Sequence, residues 1–319
     1  MKNLLISLFL IFIITEYKNI YCQKGISKYI PLVGISKQIT TGYRFEQKFG
    51  DFNEVEDRET IIFYNQNGYK EKVISNDSDI QSLNKIILAE DSSFIQINFK
   101  YTTFDSVSEV THFTADGSIT MKIIYIYNHD NQVEEEWTYF SGTPPPSKTY
   151  YKYDRRNNLI EVNDYFSDGK LYSKTKYNYD DMGNKVENAS YYSNGKLMDI
   201  IKYKYNDLGY EVSQLNYGSD GICNFKYEWI YNKSGQNVEE IHYRFSSIDE
   251  RRKFTYDRNG NLIKQLIFSP NEDSLLYKMD FYYNDDNRLI EETSYKYIMK
   301  FGDIVEEPLK KTKHRYISD

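Results

Sequence analysis

The chain has 319 residues, a formal net charge of −7 and 33 tyrosines, but only two cysteines and four histidines. The acidic balance argues against a nucleic-acid binder, which needs clustered Lys and Arg. Scarce cysteine and histidine argue against a disulfide scaffold and against a zinc centre.

Residues 1–22 read as an export signal. Lys2 gives a positive start, and Leu4 to Ile14 is an apolar run broken only by Ser7. That run is shorter than the roughly 20 residues a spanning helix needs. Cleavage after Cys22 would take two lysines and one glutamate and move the charge from −7 to −8. The rival readings are a lipoprotein acylated at Cys22, although Tyr21 stands where that signal wants Gly, Ala or Ser, and an uncleaved N-terminal anchor.

Residues 23–100 form an irregular N-terminal cap. Tyr64-Asn65-Gln66-Asn67-Gly68 looks like one degenerate copy of the repeat that begins at Tyr101, with an insertion around Ser82–Glu90. Ser82 to Leu88 suits a short helix or a strand equally. A terminal repeat is often atypical because it covers an exposed edge.

Residues 101–300 repeat. The anchors Tyr101, Tyr127, Tyr153, Tyr179, Tyr205, Tyr231, Tyr256 and Tyr283 succeed each other at spacings of 26, 26, 26, 26, 26, 25 and 27. Four places after each stands Gly, Asn or Asp, the residues that tolerate a positive φ, so a turn is predicted there. A second turn comes at Asp116-Gly117, Asp168-Gly169, Asn194-Gly195 and Asp220-Gly221. Two turns per period leave two strands of about 8–10 residues each. Aromatic residues stand two before each anchor, Trp229 among them. Twelve after it comes a second aromatic set, including Tyr139, Tyr165, Tyr191, Tyr217 and Tyr243. Seven after it is an aliphatic position, as in Ile160, Val186, Val212, Val238, Ile263 and Ile290. Equivalent residues should stack in rows across a sheet. Pro144-Pro145-Pro146 and Pro270 fall at second turns. Residues 301–319 read as closing strands, with a turn marked by Glu306-Glu307-Pro308.

Tyr-Asp-x-x-Gly-Asn, as in Tyr179-Asp180-Asp181-Met182-Gly183-Asn184 and Tyr256-Asp257-Arg258-Asn259-Gly260-Asn261, resembles the Tyr-Asp (YD) repeat of the RHS family of exported bacterial β-repeat proteins. The similarity covers about Tyr101 to Tyr295. The family includes large shells that enclose a toxin and cell-surface proteins that bind partners or glycans. This chain has too few repeats to close such a shell and no separate effector domain after the last one, so toxin delivery is not carried over.

No catalytic constellation stands out. His112, His129, His242 and His314 lack metal-ligand spacing, and no H-E-x-x-H occurs. Glu161, Glu187, Glu239 and Glu291 recur eight after the anchor, interrupted by Ser213 and Lys264. A row of like carboxylates in like surroundings is the reverse of an acid–base pair, and a solvated charged row is expected. Gly218-Ser219-Asp220-Gly221 is a turn and not a nucleophile elbow. Cys223 aligns with Leu171 and Leu197 and reads as a small apolar substitute. The basic run at 310–315 reads as a charged edge strand or tail.

The expected fold is all-β: an elongated, curled antiparallel sheet of tandem ~26-residue β-hairpin repeats. The expected function is a non-enzymatic exported binding or scaffold surface for a glycan or a protein, carried by Tyr139, Tyr165, Tyr191, Tyr217, Tyr243 and Trp229. The alternatives are an RHS-like envelope or contact-system module and a cryptic hydrolase in residues 24–100. No cofactor, metal or nucleic acid is expected, nor a membrane span in the mature chain. An uncovered terminal strand would allow edge-to-edge self-association.

Overall fold

The computed structural model describes residues 32–48, 51–76, 95–140, 143–270 and 274–318. The export signal, Cys22 and the Ser82–Glu90 insertion lie outside the described residues. The described chain is all-β. Its strands are β1 (Lys37–Lys48), β2 (Asp51–Tyr64), β3 (Lys70–Ser75), β4 (Ile95–Tyr101), β5 (Val107–Phe113), β6 (Ile119–Tyr127) and β7 (Val133–Phe140). They continue as β8 (Thr143–Tyr153), β9 (Leu159–Tyr165), β10 (Leu171–Tyr179), β11 (Lys185–Tyr192), β12 (Leu197–Tyr205), β13 (Glu211–Gly218) and β14 (Cys223–Tyr231). The last are β15 (Asn237–Arg244), β16 (Ser247–Tyr256), β17 (Leu262–Phe268), β18 (Leu275–Tyr283), β19 (Leu289–Lys300) and β20 (Asp303–Ile317). Every even strand from β2 to β18 ends on a tyrosine: Tyr64 or one of the eight anchors.

Each strand pairs with the next, and β1 pairs with both β2 and β20. The pairings return on themselves, so the 20 strands close into a β-barrel. The elongated, curled sheet expected from the repeat is therefore wrong. The reason lies in the segment read as a cap: it supplies β1 and β2, which bridge β20 to β3. Closure leaves no row of unpaired backbone groups among the described strands, and the expectation of an uncovered terminal strand goes with it. The basic run at 310–315 is likewise not an edge, because β20 is paired on both sides.

Two compact units contain these strands. The first holds residues 32–38, 60–176 and 316–318 of the described chain. Here Ser36 N donates to the Ile317 carbonyl at 2.9 Å, and Tyr64 N donates to the Ser36 carbonyl at 3.0 Å. Its core is thin: Val110, Val133, Tyr151, Leu159 and Val162 are buried. The second unit holds residues 39–59 and 177–315. Here Thr40 Oγ1 lies 2.9 Å from His314 Nδ1, and Glu54 receives Lys311 and Lys313.

Both turns of a period are built alike. Gly183 N donates to the Asp180 carbonyl and Gly195 N to the Tyr192 carbonyl, at 3.0 and 2.9 Å. The third turn residue has a positive φ, and asparagine or aspartate fills it where glycine does not, as at Asn131 and Asp105 with φ 58°.

A β-bulge marks the anchor junctions. Tyr153 pairs with Leu159 while Lys152 pairs with Glu161, which leaves Ile160 as the extra residue. The same skip leaves out Val212, Val238, Ile263 and Ile290. The aliphatic position expected to form a stacked row is thus the bulge residue, and the packed position is the one before it. Leu159 is 8% exposed and Ile160 37%. The register slips by one because a bulge adds a residue on one strand only.

Two proline readings also change. Pro145 and Pro146 belong to β8. Thr138 pairs with Ser147 and Phe140 with Thr143, so residues 144–146 fall in an irregularity where no ladder N–H is required. Pro308 lies inside β20 opposite Tyr295, at a register shift. The turn before β20 is Phe301-Gly302, with φ 52° and 94°.

Candidate functional site

Residues opposite one another across a ladder share a face, and neighbours along a strand alternate. One face therefore carries lysines and glutamates, the other the anchor tyrosines.

The anchor tyrosines are tied down. In the first unit the hydroxyl of Tyr153 donates to the Val133 carbonyl at 2.8 Å. In the second, Tyr205 reaches Lys185, Tyr231 reaches Glu211 and Tyr283 reaches Leu262, at 2.8, 2.8 and 3.0 Å. The aspartate next in sequence caps its own turn. Asp154 Oδ1 accepts from the backbone of Arg156 and Asn158, and Asp180 and Asp257 do the same work. The side-chain amides of Asn184 and Asn261 also donate to Asp180 and Asp257 at 2.9 Å, and these side-chain and backbone bonds together hold the three carboxyls below the usual range. The Tyr-Asp-x-x-Gly-Asn motif is thus accounted for by turn and ladder geometry.

The lysine face is ion-paired. In the first unit Glu109 lies 2.9 Å from Lys100 and 2.8 Å from Lys122. Burial pushes Glu109 up, but Lys122, Lys100 and Thr111 outweigh it and hold the carboxyl at about 2. Glu161 sits between Lys152 and Lys174, and Asn163 and Lys152 bring it to about 2. In the second unit Glu187 meets Lys202, and Glu239 meets Arg251. Glu291 likewise meets Lys311, while Glu135 at the same position accepts from Trp137 Nε1 at 2.6 Å.

The second aromatic set lies on this lysine face. Lys122 stands opposite Tyr139, Lys148 opposite Tyr165 and Lys226 opposite Tyr243. Lys202 lies over Tyr217 at 5.9 Å and Lys226 over Tyr243 at 4.7 Å, and the Tyr243 hydroxyl donates to Glu228 at 2.7 Å. Tyr191 pairs with Leu197. Tyr217 and Tyr243 are thus roofed by lysines, whereas Lys148 lies over the Trp137 ring at 4.0 Å; five of the six expected ligand contacts share this face. Trp229 does not: it pairs with Glu240 on the tyrosine face, beside Tyr227 at 6.2 Å. A lysine five places before the anchor supplies the roof at Lys226 over Tyr243 and at Lys278 over Tyr295, the latter at 4.2 Å.

In the first unit the aromatic row opens into a cleft of about 420 Å³. Pro145, Pro146, Lys148, Tyr150, Tyr165 and Phe166 line it. Tyr150 and Tyr165 meet edge to face at 5.5 Å. Phe166, 52% exposed, packs against Tyr172, 49% exposed, at 4.9 Å. Among the described residues no protein group bonds the hydroxyls of Tyr150 or Tyr165. The sequence pointed to Tyr165 alone. Phe166, one place further, and the facing prolines belong to the same end of the ladder.

The second unit carries a polar row on the tyrosine face. Lys185, Glu211 and Asn237 begin β11, β13 and β15, where other periods place Val107, Val133, Leu159, Leu262 and Leu289. Asn237 Nδ2 donates to Glu240 at 2.8 Å, while its Oδ1 is buried without a partner among the described residues. Glu240 also meets His242 at 3.5 Å. The described residues bring together no group of three or more side chains suited to a metal ion.

No family model matches the chain, and no curated protein does. Solved structures show weak likeness. The crystal structure of TcdB2-TccC3-Cdc42 shares 11% identity over 84% of this chain and 19% of that one, with a TM-score of 0.30. This chain therefore spans about a fifth of its length. A porin-like protein from Bacteroides uniformis shares 11% identity over 90% of this chain and 99% of that one, with a TM-score of 0.35. A porin-like protein from Bacteroides vulgatus shares 10% over 79% and 98%, with a TM-score of 0.22. Likeness this low assigns neither a family nor an activity.

Proposed function

We propose that the chain is a non-enzymatic, exported binding protein of the RHS-like YD-repeat type, which holds a glycan or protein ligand on an aromatic surface. The observation that carries this reading is the cleft at Pro145, Tyr150, Tyr165 and Phe166. It is shallow and open, its walls are ring faces and proline, and two tyrosine hydroxyls stand free of protein partners among the described residues. Rings with an apolar body and a polar tip suit sugar rings and protein anchors. Lys148 at the rim adds a donor. Export is supported by the apolar run from Leu4 to Ile14.

A barrel that crosses a membrane is the competing reading. Such a barrel needs an outward face that is apolar over a tall band. Neither face here provides one. The lysine face carries Lys100, Glu109, Lys152 and Glu161, and the tyrosine face carries Glu136, Asn188, Gln214 and Glu240. Among the described residues no helix is long and apolar enough to cross a membrane, which bears on helices and not on strands.

The test is binding of residues 23–319 to a panel of polysaccharides and glycans, with Tyr165→Ala and Phe166→Ala alongside. A specific ligand is expected, with affinity that drops at least ~10-fold in each variant. Unchanged affinity for every ligand in both variants would remove the cleft as the site.

A further inference from the structure

The period of the chain supplies its own reference for what a position requires. Six places after the anchor it requires an aliphatic side chain, as five copies show. Three consecutive copies depart from it at Lys185, Glu211 and Asn237, and the degenerate first copy departs at Lys70. The three residues begin alternate strands, about 10 Å apart, twice the inter-strand spacing. No ion pair joins Lys185 to Glu211, and among the described residues no protein group hydrogen-bonds the Glu211 carboxylate. Both side chains are half-buried. Lys185 Nζ lies over the Tyr203 ring at 4.3 Å, a weaker contact than a hydrogen bond, and buried polar groups that lack hydrogen-bond partners weaken a fold.

We infer that the Lys185–Glu211–Asn237 row is a pH-sensitive seam in the 177–315 unit, loosest when Lys185 and Glu211 are both charged and tighter when either is neutral. The surroundings fit. Tyr203 and Tyr205 of β12, Tyr231 of β14 and Lys185 of β11 feel or act on the Glu211 charge; Tyr177 of β10 and Asp199 of β12 act on Tyr203, and Glu240 of β15 acts on Tyr231 and accepts from Asn237. Asp180, in the turn before β11, acts on Tyr205. Burial and the Glu211 charge push the three tyrosine hydroxyls up, so they stay neutral. Burial pulls Glu240 up, but His242 and Arg252 outweigh it, so it stays ionised. Burial also pushes Asp199 up, against a hydrogen bond from Ser190; within the row itself Glu211 and Lys185 are the groups that titrate.

Burial pushes Glu211 up from 4.5 to about 7, against the pull of Lys185. Its neutral form is favoured in the fold, so its contribution is full below about 4.5 and is lost as pH rises through about 7. Burial pushes Lys185 down from 10.5 to about 8, against the pull of Glu211. The fold favours the neutral amine, so stability falls as pH drops from about 10.5 to about 8. The two limbs meet in a minimum near pH 7–8, where small proteins are ordinarily most stable.

Amide hydrogen exchange on the full chain from pH 5 to 9.5, expressed as protection factors, tests this. Peptides from β17 to β19, where the row is Leu262 and Leu289, provide the internal reference. Protection in β11–β15 relative to that reference should fall at least ~10-fold from pH 5 to pH 7.5 and recover toward pH 9.5. Glu211→Gln should remove the acid limb, and Lys185→Met the alkaline one. Glu211→Leu, which restores the aliphatic row, should slow exchange at every pH. If Glu211→Leu fails to fold, the isosteric Glu211→Gln decides. A flat relative protection in the parent chain, or a minimum that survives Glu211→Gln, would overturn the seam. The seam does not depend on the binding reading.

Discussion

The tyrosine that recurs every 26 residues does two jobs with one side chain. Its ring fills the sheet face, and its hydroxyl takes a backbone carbonyl twenty or so residues upstream, as Tyr283 does with Leu262. A buried carbonyl at a bulge has lost its regular ladder donor, so a side-chain donor is needed there. The aspartate beside it performs the matching task at the turn. These roles explain why Tyr and Asp stand together without any catalytic demand. Tyr283→Phe should therefore cost about 1 kcal/mol, one hydrogen bond to a carbonyl. Tyr282→Phe, one place away on the exposed side, should cost nothing measurable. Paired chemical denaturation of the two variants checks this. The turn positions were legible in the sequence because Gly, Asn and Asp mark positive φ by sterics alone. The hydroxyl's partner was not, since it lies in another strand.

Strand pairs were legible from the period, but their register was not. A bulge inserts one residue, and period-two reasoning then assigns every later side chain to the wrong face. That is why Ile160 and its equivalents looked like a core row, while Leu159, Val133 and Val107 hold the packed position. The exceptions Lys185, Glu211 and Asn237 were invisible for the same reason, because they stand one place before the aliphatic row that looked like core. The prolines at 144–146 mark the opposite case. Their missing donors signalled an unpaired stretch correctly, although that stretch lies within a strand and not in a turn. Leu159→Ala should destabilise by about 2–4 kcal/mol, whereas Ile160→Ala should cost less than about 1 kcal/mol. Thermal unfolding of the two variants, side by side, would reverse that order if the bulge were misplaced.

At the scale of the molecule, closure changes what the repeats mean. An array with free edges invites further strands, and a sheet of about twenty strands rarely stays open. The segment before Tyr64 solves both problems by pairing β1 with β2 and β20. Nothing local announces this: β1 and β2 lack the anchor spacing, and pairing between the two ends of the chain leaves no periodic trace. The aromatic site was partly legible, through Tyr165. Its cleft was not, because it depends on prolines folding back opposite the second turn. The lysine roof over the other rings was missed as well, since lysine reads by default as a solvated face.

The most direct test of closure is a disulfide across the β1–β20 seam. Thr40→Cys and His314→Cys replace side chains whose polar atoms lie 2.9 Å apart, in residues 23–319 with Cys223→Ser, which leaves no other thiol. Intact mass and a non-reducing gel of the folded, oxidised chain give the readout. A closed sheet predicts a near-quantitative intramolecular bond and a raised unfolding midpoint. Two free thiols in a chain that is otherwise folded would contradict closure and return the molecule to an open sheet.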